Sequence, residues 1–328
     1  MKRIFKIGWK TLDYLRKINQ ILEIMKFVIT GATCFIGLEL IDYMLSNNHS
    51  VVAICRPNSK GLSCVPSGVE IVTAEMSDYG NLHKDISTAD VFINLAWGGT
   101  GHDGRNVVDV QNENITYTTA SMFAADKIGC KLFVEAGSQA EYGSTIEPQS
   151  EDSVCNPFSE YGKAKLKVKE ELFKISEQLG IKYIHLRIFS IFGENDHPWT
   201  LVMSAIDKML KNEQVDLSPC TQNWNFLYVK DAVKIITKLC DYAISTNGFT
   251  HEVYNIASRD TRILKDFVEE MKAITKSKSV LNYGAITPSN LVSLQPVISK
   301  MESASGIYEY TQFADVINKI IYLQDMQS

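Results

Sequence analysis

A strand, a glycine turn and a helix follow one another near the start of the chain, and this order constrains the fold more than any other feature. Lys26–Thr30 is a short apolar run, Gly31–Gly37 has a glycine at each end, and Leu38–Leu45 has helical periodicity. The first glycine would allow a tight turn and close backbone approach, and the second would allow the helix to pack on the strand. The helix N-terminus would then face a pyrophosphate.

The turn departs from the usual pattern of three glycines at its centre. Cys34 stands where the middle glycine is expected, and it either narrows the space over a pyrophosphate or is small enough to be tolerated. The surrounding strand and helix still favour a dinucleotide site. The predicted contacts of the turn are Gly31, Thr33, Cys34, Phe35, Ile36 and Gly37.

Later apolar segments alternate with segments of helical periodicity, which is typical of a parallel α/β sheet. The predicted strands are Ser50–Cys55, Val69–Thr73, Asp90–Ala96 and Lys131–Ala136. We therefore predict a Rossmann-type, doubly wound parallel sheet with a smaller, interleaved C-terminal α/β substrate lobe. The dinucleotide-binding domain would comprise residues 25–190 plus about 214–245, and the remaining pieces of 191–328 would form the substrate lobe.

Composition excludes several classes of protein. The net charge of −5 offers no basic stripe for nucleic acid, and no apolar run reaches the ~20 residues that a membrane span needs. Seven scattered cysteines without metal-ligand spacing predict reduced thiols, a cytoplasmic location and no metal site. Residues 1–24 form a basic, amphipathic extension that is a membrane-surface or partner-binding helix, a helix packed on the body, or an upstream start.

The end of the second predicted strand bears on the choice of cofactor. In dinucleotide folds an acidic side chain there binds the ribose 2′-hydroxyl, whereas a basic one suits a 2′-phosphate. This chain has Arg56, Ser59 and Lys60 and no acid, so NADP is favoured and NAD remains an alternative. These charges could equally be solvated loop residues. Further predicted cofactor contacts are Asp78, Leu95 and Ala96.

A tyrosine and a lysine four residues apart mark the candidate chemistry. Tyr161 and Lys165 would share one face of a helix that ends at Gly180, and an ammonium near a phenol favours its ionised form for proton transfer. The same spacing also occurs on ordinary surface helices. Ser138 follows the fifth predicted strand, so it would face the same crevice as the glycine turn.

The ordered motifs resemble the extended short-chain dehydrogenase/reductase family of nucleotide-sugar epimerases, dehydratases and ketoreductases. The motifs are Gly31-x5-Gly37, Asn94-Leu-Ala96, Ser138-x3-Tyr142-Gly143 and Tyr161-x3-Lys165. The resemblance implies that Ser138 hydrogen-bonds the reacting sugar oxygen, Tyr161 exchanges its proton, and Lys165 binds the nicotinamide ribose. It also implies a nucleotide-sugar substrate and a homodimer built from the helices at Val107–Ile128 and Ser159–Gln178.

Departures from the family bear on the reaction. Dehydratases of the family have Asp-Glu after the catalytic hydroxyl residue, whereas this chain has Gln139 and Ala140, which disfavours a dehydratase. Trp224 replaces the arginine that contacts the diphosphate, and Ser190 replaces an asparagine. The predicted substrate contacts are Trp97, Gln139, Ser190 and Trp224.

Three functions remain open on the sequence. The first is NADP-dependent reduction of a nucleotide-linked 4-keto-6-deoxysugar, which Arg56 favours. The second is a nucleotide-sugar 4-epimerase with bound NAD, in which the cofactor is reduced and reoxidised in one site. The third is a dinucleotide-binding sensor without turnover, which is disfavoured because Tyr161 and Lys165 are both retained.

Overall fold

The structure is a computed structural model that describes residues 24–101, 103–287 and 292–326. The extension predicted at the N-terminus therefore lies outside the described residues except for Ile24. In the described chain the strands are β1 (Lys26–Thr30), β2 (Ser50–Cys55), β3 (Glu70–Thr73), β4 (Val91–Asn94), β5 (Leu132–Ser138), β6 (Lys182–Ile188), β7 (Ser190–Phe192), β8 (Val215–Leu217), β9 (Asn223–Tyr228), β10 (His251–Ile256), β11 (Thr261–Ile263) and β12 (Leu281–Tyr283).

Helices alternate with these strands through most of the chain. Their bounds are α1 (Phe35–Ser46), α2 (Val108–Ile128), α3 (Glu160–Leu179), α4 (Leu201–Leu210), α5 (Val229–Ser245), α6 (Leu264–Thr275), α7 (Ser299–Ser305) and α8 (Phe313–Asp325). Within the described ranges, none of the helices is long and apolar enough to cross a membrane.

The main sheet has seven parallel strands in the order β10-β6-β5-β4-β1-β2-β3. This confirms the predicted Rossmann-type sheet. The strand order reverses between β1 and β4, so the carboxyl ends of β1, β4 and β5 lie side by side at the edge where such folds bind ligands. The seventh strand, β10, comes from residues that the sequence assigned to the substrate lobe, yet it pairs with β6. The paired residues of β6 and β10, such as Tyr183 and His251, are 68 positions apart in the chain, so no local sequence pattern indicates that they pair.

Apolar cores lie on both faces of this sheet. One contains Leu40 and Met44 of α1 with Ile236 of α5, and the other contains Met122 of α2 with Leu172 of α3. Because both faces are covered, the strands read as continuous apolar runs rather than as alternating ones. α3 ends at a left-handed glycine, Gly180, as the sequence predicted.

A second lobe is built from shorter pieces. Its sheets have the orders β11-β9-β7 and β12-β8, and its core is an aromatic cluster. The Phe226 ring lies 5.0 Å from that of Phe267, which lies 4.9 Å from that of Phe313. The limits of the two lobes in sequence stay a prediction.

Two glycines with left-handed backbones provide a matched test of this packing. A Cβ at Gly143 would overlap the Asn156 carbonyl oxygen, whereas a Cβ at Gly129 would meet nothing within 4 Å. We expect Gly129→Ala to lower the free energy of unfolding by about 1 kcal/mol and Gly143→Ala by about 3 kcal/mol, measured by urea denaturation. Equal losses in the two variants would contradict the predicted overlap.

Candidate active site

The glycine turn is closed so tightly that side chains cannot replace its two glycines. Gly31 has a φ of +65°, and a Cβ on it would lie 2.9 Å from the Ala96 backbone nitrogen. A Cβ on Gly37 would lie 2.6 Å from the Gly31 carbonyl oxygen. The turn therefore brings the N-terminus of α1 against the carboxyl end of β4, where a dinucleotide pyrophosphate fits.

Cys34 caps the helix that follows the turn. Its sulfur accepts a hydrogen bond from the Gly37 backbone N–H at 3.3 Å, and burial raises the pKa of the thiol. The side chain is thus a neutral cap on the first turn of α1. The N–H groups of Phe35 and Ile36, which precede Gly37 in that turn, are the ones that would hold a phosphate.

The predicted ribose-binding residues lie around the carboxyl end of β2. The Thr33 and Ser59 hydroxyl oxygens are 3.0 Å apart, which ties the loop after β2 to the glycine turn. The other two, Arg56 and Lys60, are exposed, and so is Asp78, the predicted adenine contact that follows β3. The preference for NADP stays a prediction.

A chain of buried polar side chains crosses the carboxyl ends of the central strands. Thr30 Oγ1 donates to Asn94 Oδ1 at 2.6 Å, and Asn94 Nδ2 donates to Glu135 Oε2 at 2.7 Å. Lys165 Nζ donates to Glu135 Oε1 at 3.0 Å. Glu135 was not predicted as a site residue, although a charged residue in an apolar strand is a signal that could have identified it.

Tyr161 lies among one aromatic and two cationic side chains. Lys165 Nζ lies 3.4 Å from the Trp97 ring centroid and 6.0 Å from that of Tyr161. The Trp97 and Tyr161 rings meet edge to face at 6.1 Å, and the Arg105 guanidinium carbon lies 4.3 Å from the Tyr161 centroid. The structure therefore brings together three predicted residues and adds Arg105.

Ser138 is the last residue of β5, and its neighbours connect it to the Tyr161 turn. Its Oγ accepts from the Ala140 N–H at 3.1 Å, so its own hydroxyl hydrogen can be donated to a substrate. A Cβ on Gly162 would lie 2.5 Å from the Ala140 carbonyl oxygen, so the first turn of α3 packs directly on the turn after Ser138. Gln139, half-buried, starts that turn.

A buried carboxylate supports the backbone of Ser138. Glu141 Oε1 accepts from the Ser138 N–H at 2.8 Å and bonds His185 Nε2 at 2.8 Å. Its other oxygen accepts from Arg187 Nε at 2.9 Å. Burial alone would raise the pKa of Glu141, but His185, Arg187 and the Ser138 N–H together lower it to about 2.

The glycine-rich loop after β4, at residues 97–105, is held by two side chains of α2. Gln111 Oε1 accepts from Trp97 Nε1 at 2.8 Å, and Gln111 Nε2 donates to the Gly104 carbonyl at 3.0 Å. Asn114 Oδ1 accepts from the Gly98 N–H at 2.7 Å. Neither Gln111 nor Asn114 was predicted as a site residue, because their partners are fixed only once α2 packs beside the loop.

The predicted substrate contacts of the second lobe lie in its three-stranded sheet. Ser190 begins β7 and pairs with Phe226 of β9. Trp224 lies two residues before Phe226, opposite Arg262 of β11, and its buried indole N–H has no hydrogen-bond partner within the described part of the chain. No group of three or more His, Cys, Asp or Glu side chains that could hold a metal ion occurs among the residues that the structure describes.

The glycine turn follows β1, Ser138 ends β5, and Lys165 is hydrogen-bonded to β5, so these groups lie at the strands that flank β4, on the side of the sheet where α/β folds of this class bind dinucleotides. Residues 27–257 match the family described as the NAD dependent epimerase/dehydratase family. The chain belongs to this family, and its relatives are nucleotide-sugar epimerases, dehydratases and reductases of the extended short-chain dehydrogenase/reductase group. The predicted family and enzyme class are thereby confirmed.

Individual relatives are named for different activities. The chain is 23% identical to a CDP-abequose synthase of Salmonella muenchen over 80% of this chain and 84% of that protein. It is 29% identical to a putative UDP-glucose 4-epimerase of Methanocaldococcus jannaschii over 63% of this chain and 70% of that protein.

One solved structure has a fold similar to that of this chain over most of its length. A UDP-N-acetylglucosamine 4-epimerase from Methanobrevibacter ruminantium has a TM-score of 0.82 at 19% identity. The match covers 94% of this chain and 100% of that one.

The Glu141 contacts predict a specific acid sensitivity. Because the folded pKa of about 2 lies below the ordinary value of 4.5, the stabilisation is complete above 4.5 and is lost as the pH falls towards about 2. We expect Glu141→Gln to unfold more easily near neutral pH by about 3 kcal/mol. The difference in unfolding free energy between the variant and the wild type, measured with urea, should decrease as the pH falls from 4.5 towards about 2. A difference that stays constant over this range would contradict the lowered pKa of Glu141.

Proposed function

We propose that the protein reduces a nucleotide-linked 4-keto-6-deoxysugar, with NADPH as the hydride donor. The observation that carries the proposal is that the helix with Tyr161 and Lys165 packs on the turn after Ser138, and that this turn holds no free acid–base pair. Gln139 and Ala140 occupy that turn, and Glu141 is buried on His185 and Arg187. One proton donor suits a carbonyl reduction, whereas removal of water needs a second acid or base.

Each side chain has a role that its surroundings support. The Ser138 hydroxyl would donate to the substrate carbonyl oxygen, and Tyr161 would give that oxygen its proton. Lys165 would favour the tyrosinate and bind the nicotinamide ribose, while the Gly31–Gly37 turn would hold the pyrophosphate. A bound nicotinamide dinucleotide supplies the hydride. Trp97, which packs on Lys165, would form one wall of the sugar site.

Relatives support reduction of a keto sugar. Besides the CDP-abequose synthase, the chain is 24% identical over 78% of its length to an Escherichia coli protein named dTDP-4-dehydro-6-deoxyglucose reductase. The second candidate is a 4-epimerase with bound NAD, which the relative of Methanocaldococcus jannaschii favours by name. In both candidates Tyr161 exchanges a proton at the same sugar oxygen.

The substrate assay separates these candidates. Purified protein mixed with NADPH and a nucleotide-linked 4-keto-6-deoxysugar should oxidise one NADPH per sugar reduced, followed by the loss of NADPH absorbance. We expect Tyr161→Phe to lower kcat roughly 10²–10⁴-fold while cofactor binding is retained, because only the proton donor is removed. Interconversion of 4-hydroxyl epimers without net NADPH loss would favour the epimerase. If the protein shows neither activity, the result would favour a sensor without turnover.

The cofactor preference is tested at the end of β2. Replacing Arg56 by glutamate should weaken NADPH binding relative to NADH by roughly tenfold or more, since a cation beside the 2′-phosphate becomes an anion. Lys174→Glu, at an exposed position on α3, makes the same change of charge as a control. Equal NADPH affinity in the two variants, measured by fluorescence titration, would rule out Arg56 as the 2′-phosphate contact.

A further inference from the structure

A fully buried glutamate lies in the middle of an otherwise apolar strand beside the proposed proton donor. Glu135 of β5 has no solvent-accessible surface, and each of its oxygens has a side-chain partner. Burying a carboxylate costs free energy unless it is paired and hydrogen-bonded. The packing of β5 against β4 and β6 requires no charge at this position, so the carboxylate points to a role outside the core.

The orientation of Glu135 is fixed from the sheet side. Thr30 donates to the Asn94 carbonyl oxygen, which leaves the Asn94 amide group to donate to Glu135 Oε2. This set of bonds connects the carboxyl ends of β1 and β4 to the middle of β5, and the three strands are adjacent in the sheet. The second oxygen, Oε1, is thereby aimed at α3.

Lys165 is held in turn by groups that surround its ammonium. Its Nζ donates to Glu135 Oε1 and to the Ala136 carbonyl, and it lies 3.4 Å from the Trp97 ring centroid. The side chain is only 3% exposed. A lysine has four rotatable side-chain bonds, so the spacing on the helix does not by itself fix its charged end.

The pairing of Glu135 with Lys165 affects the electrostatic field at Tyr161 as well as the position of the lysine. The buried carboxylate 3.0 Å from the ammonium opposes part of the field that the ammonium exerts at Tyr161. Arg105 also faces Tyr161, with its guanidinium carbon 4.3 Å from the centroid of the tyrosine ring. Tyr183 of β6 is the further titratable group near Glu135, and burial, with Glu135 contributing, raises its pKa well above the ordinary value.

We propose that Glu135 is a positioning residue that fixes the Lys165 ammonium and moderates the pull of that charge on the Tyr161 proton. The inference rests on the proposed role of Tyr161 as the group that exchanges a proton. It assigns to Glu135 the tuning of the pH range in which Tyr161 is protonated. Removing its charge should therefore make Tyr161 ionise at lower pH.

The test measures the ionisation of Tyr161 in the free protein, without turnover. Tyrosinate ultraviolet absorbance is followed during a pH titration, and from each protein's curve the curve of the same protein carrying Tyr161→Phe as well is subtracted, which removes the other 13 of the 14 tyrosines, Tyr183 included. We expect Glu135→Gln to lower the midpoint by about one pH unit. Glu135→Asp keeps the charge at a greater distance from Lys165, so its midpoint should fall in between.

A matched control distinguishes this effect from a general loss of structure. Glu141→Gln removes another fully buried carboxylate, which follows the same strand but pairs with His185 and Arg187, so it should leave the midpoint unchanged. Circular dichroism and thermal unfolding check that each variant is folded. If Glu135→Gln does not fold, the smaller downward shift in Glu135→Asp decides the question.

The outcomes separate this inference from the proposed function. An unchanged or raised midpoint in the folded Glu135 variants would overturn the inference, even if the wild type reduces a keto sugar. A lowered midpoint supports it, even if every sugar tested fails to react. Where turnover is found, the alkaline limb of the kcat profile should move to lower pH in Glu135→Gln and stay in place in Glu141→Gln.

Discussion

The buried ion pair between Glu135 and Lys165 joins the central sheet to the helix that bears Tyr161. Through Asn94 and Thr30 it connects the middle of β5 to the carboxyl ends of β4 and β1. Ion pairs of this kind contribute little net stability, because desolvation offsets the attraction. Their value here is geometric, since a satisfied network permits one arrangement of its members and leaves an expensive unpaired charge in others.

A second buried network lies on the other side of Ser138. Glu141 accepts hydrogen bonds from the Ser138 backbone N–H and from Arg187, and it also bonds His185, so it anchors the turn after β5 to β6. α3 packs on the same turn through Gly162. The candidate site thus has two rigid supports, one under the lysine and one under the serine. A site that must align a hydroxyl, a phenol and a cofactor within tenths of an ångström requires such support.

The second lobe is where this chain differs from the pattern that its sequence resembles. Trp224 stands on β9 in place of the expected arginine, and Arg262 lies opposite it on β11. Arg262 is paired with Asp260 and Glu270, so it is committed to the lobe itself. At this position, then, the second lobe departs from the family pattern, and the arginine that lies nearby does not replace the missing one.

The sequence by itself determined the strand, turn and helix at Gly31–Gly37, the parallel sheet and the helix that ends at Gly180, and it named Ser138, Tyr161 and Lys165 as candidate site residues. These follow from local patterns, in which neighbours along the chain fix the backbone. Only the tertiary structure decided that β10 completes the sheet and that Glu135 meets a lysine 30 residues away. Such contacts depend on strand order and helix packing, which bring together residues whose relation no local pattern encodes.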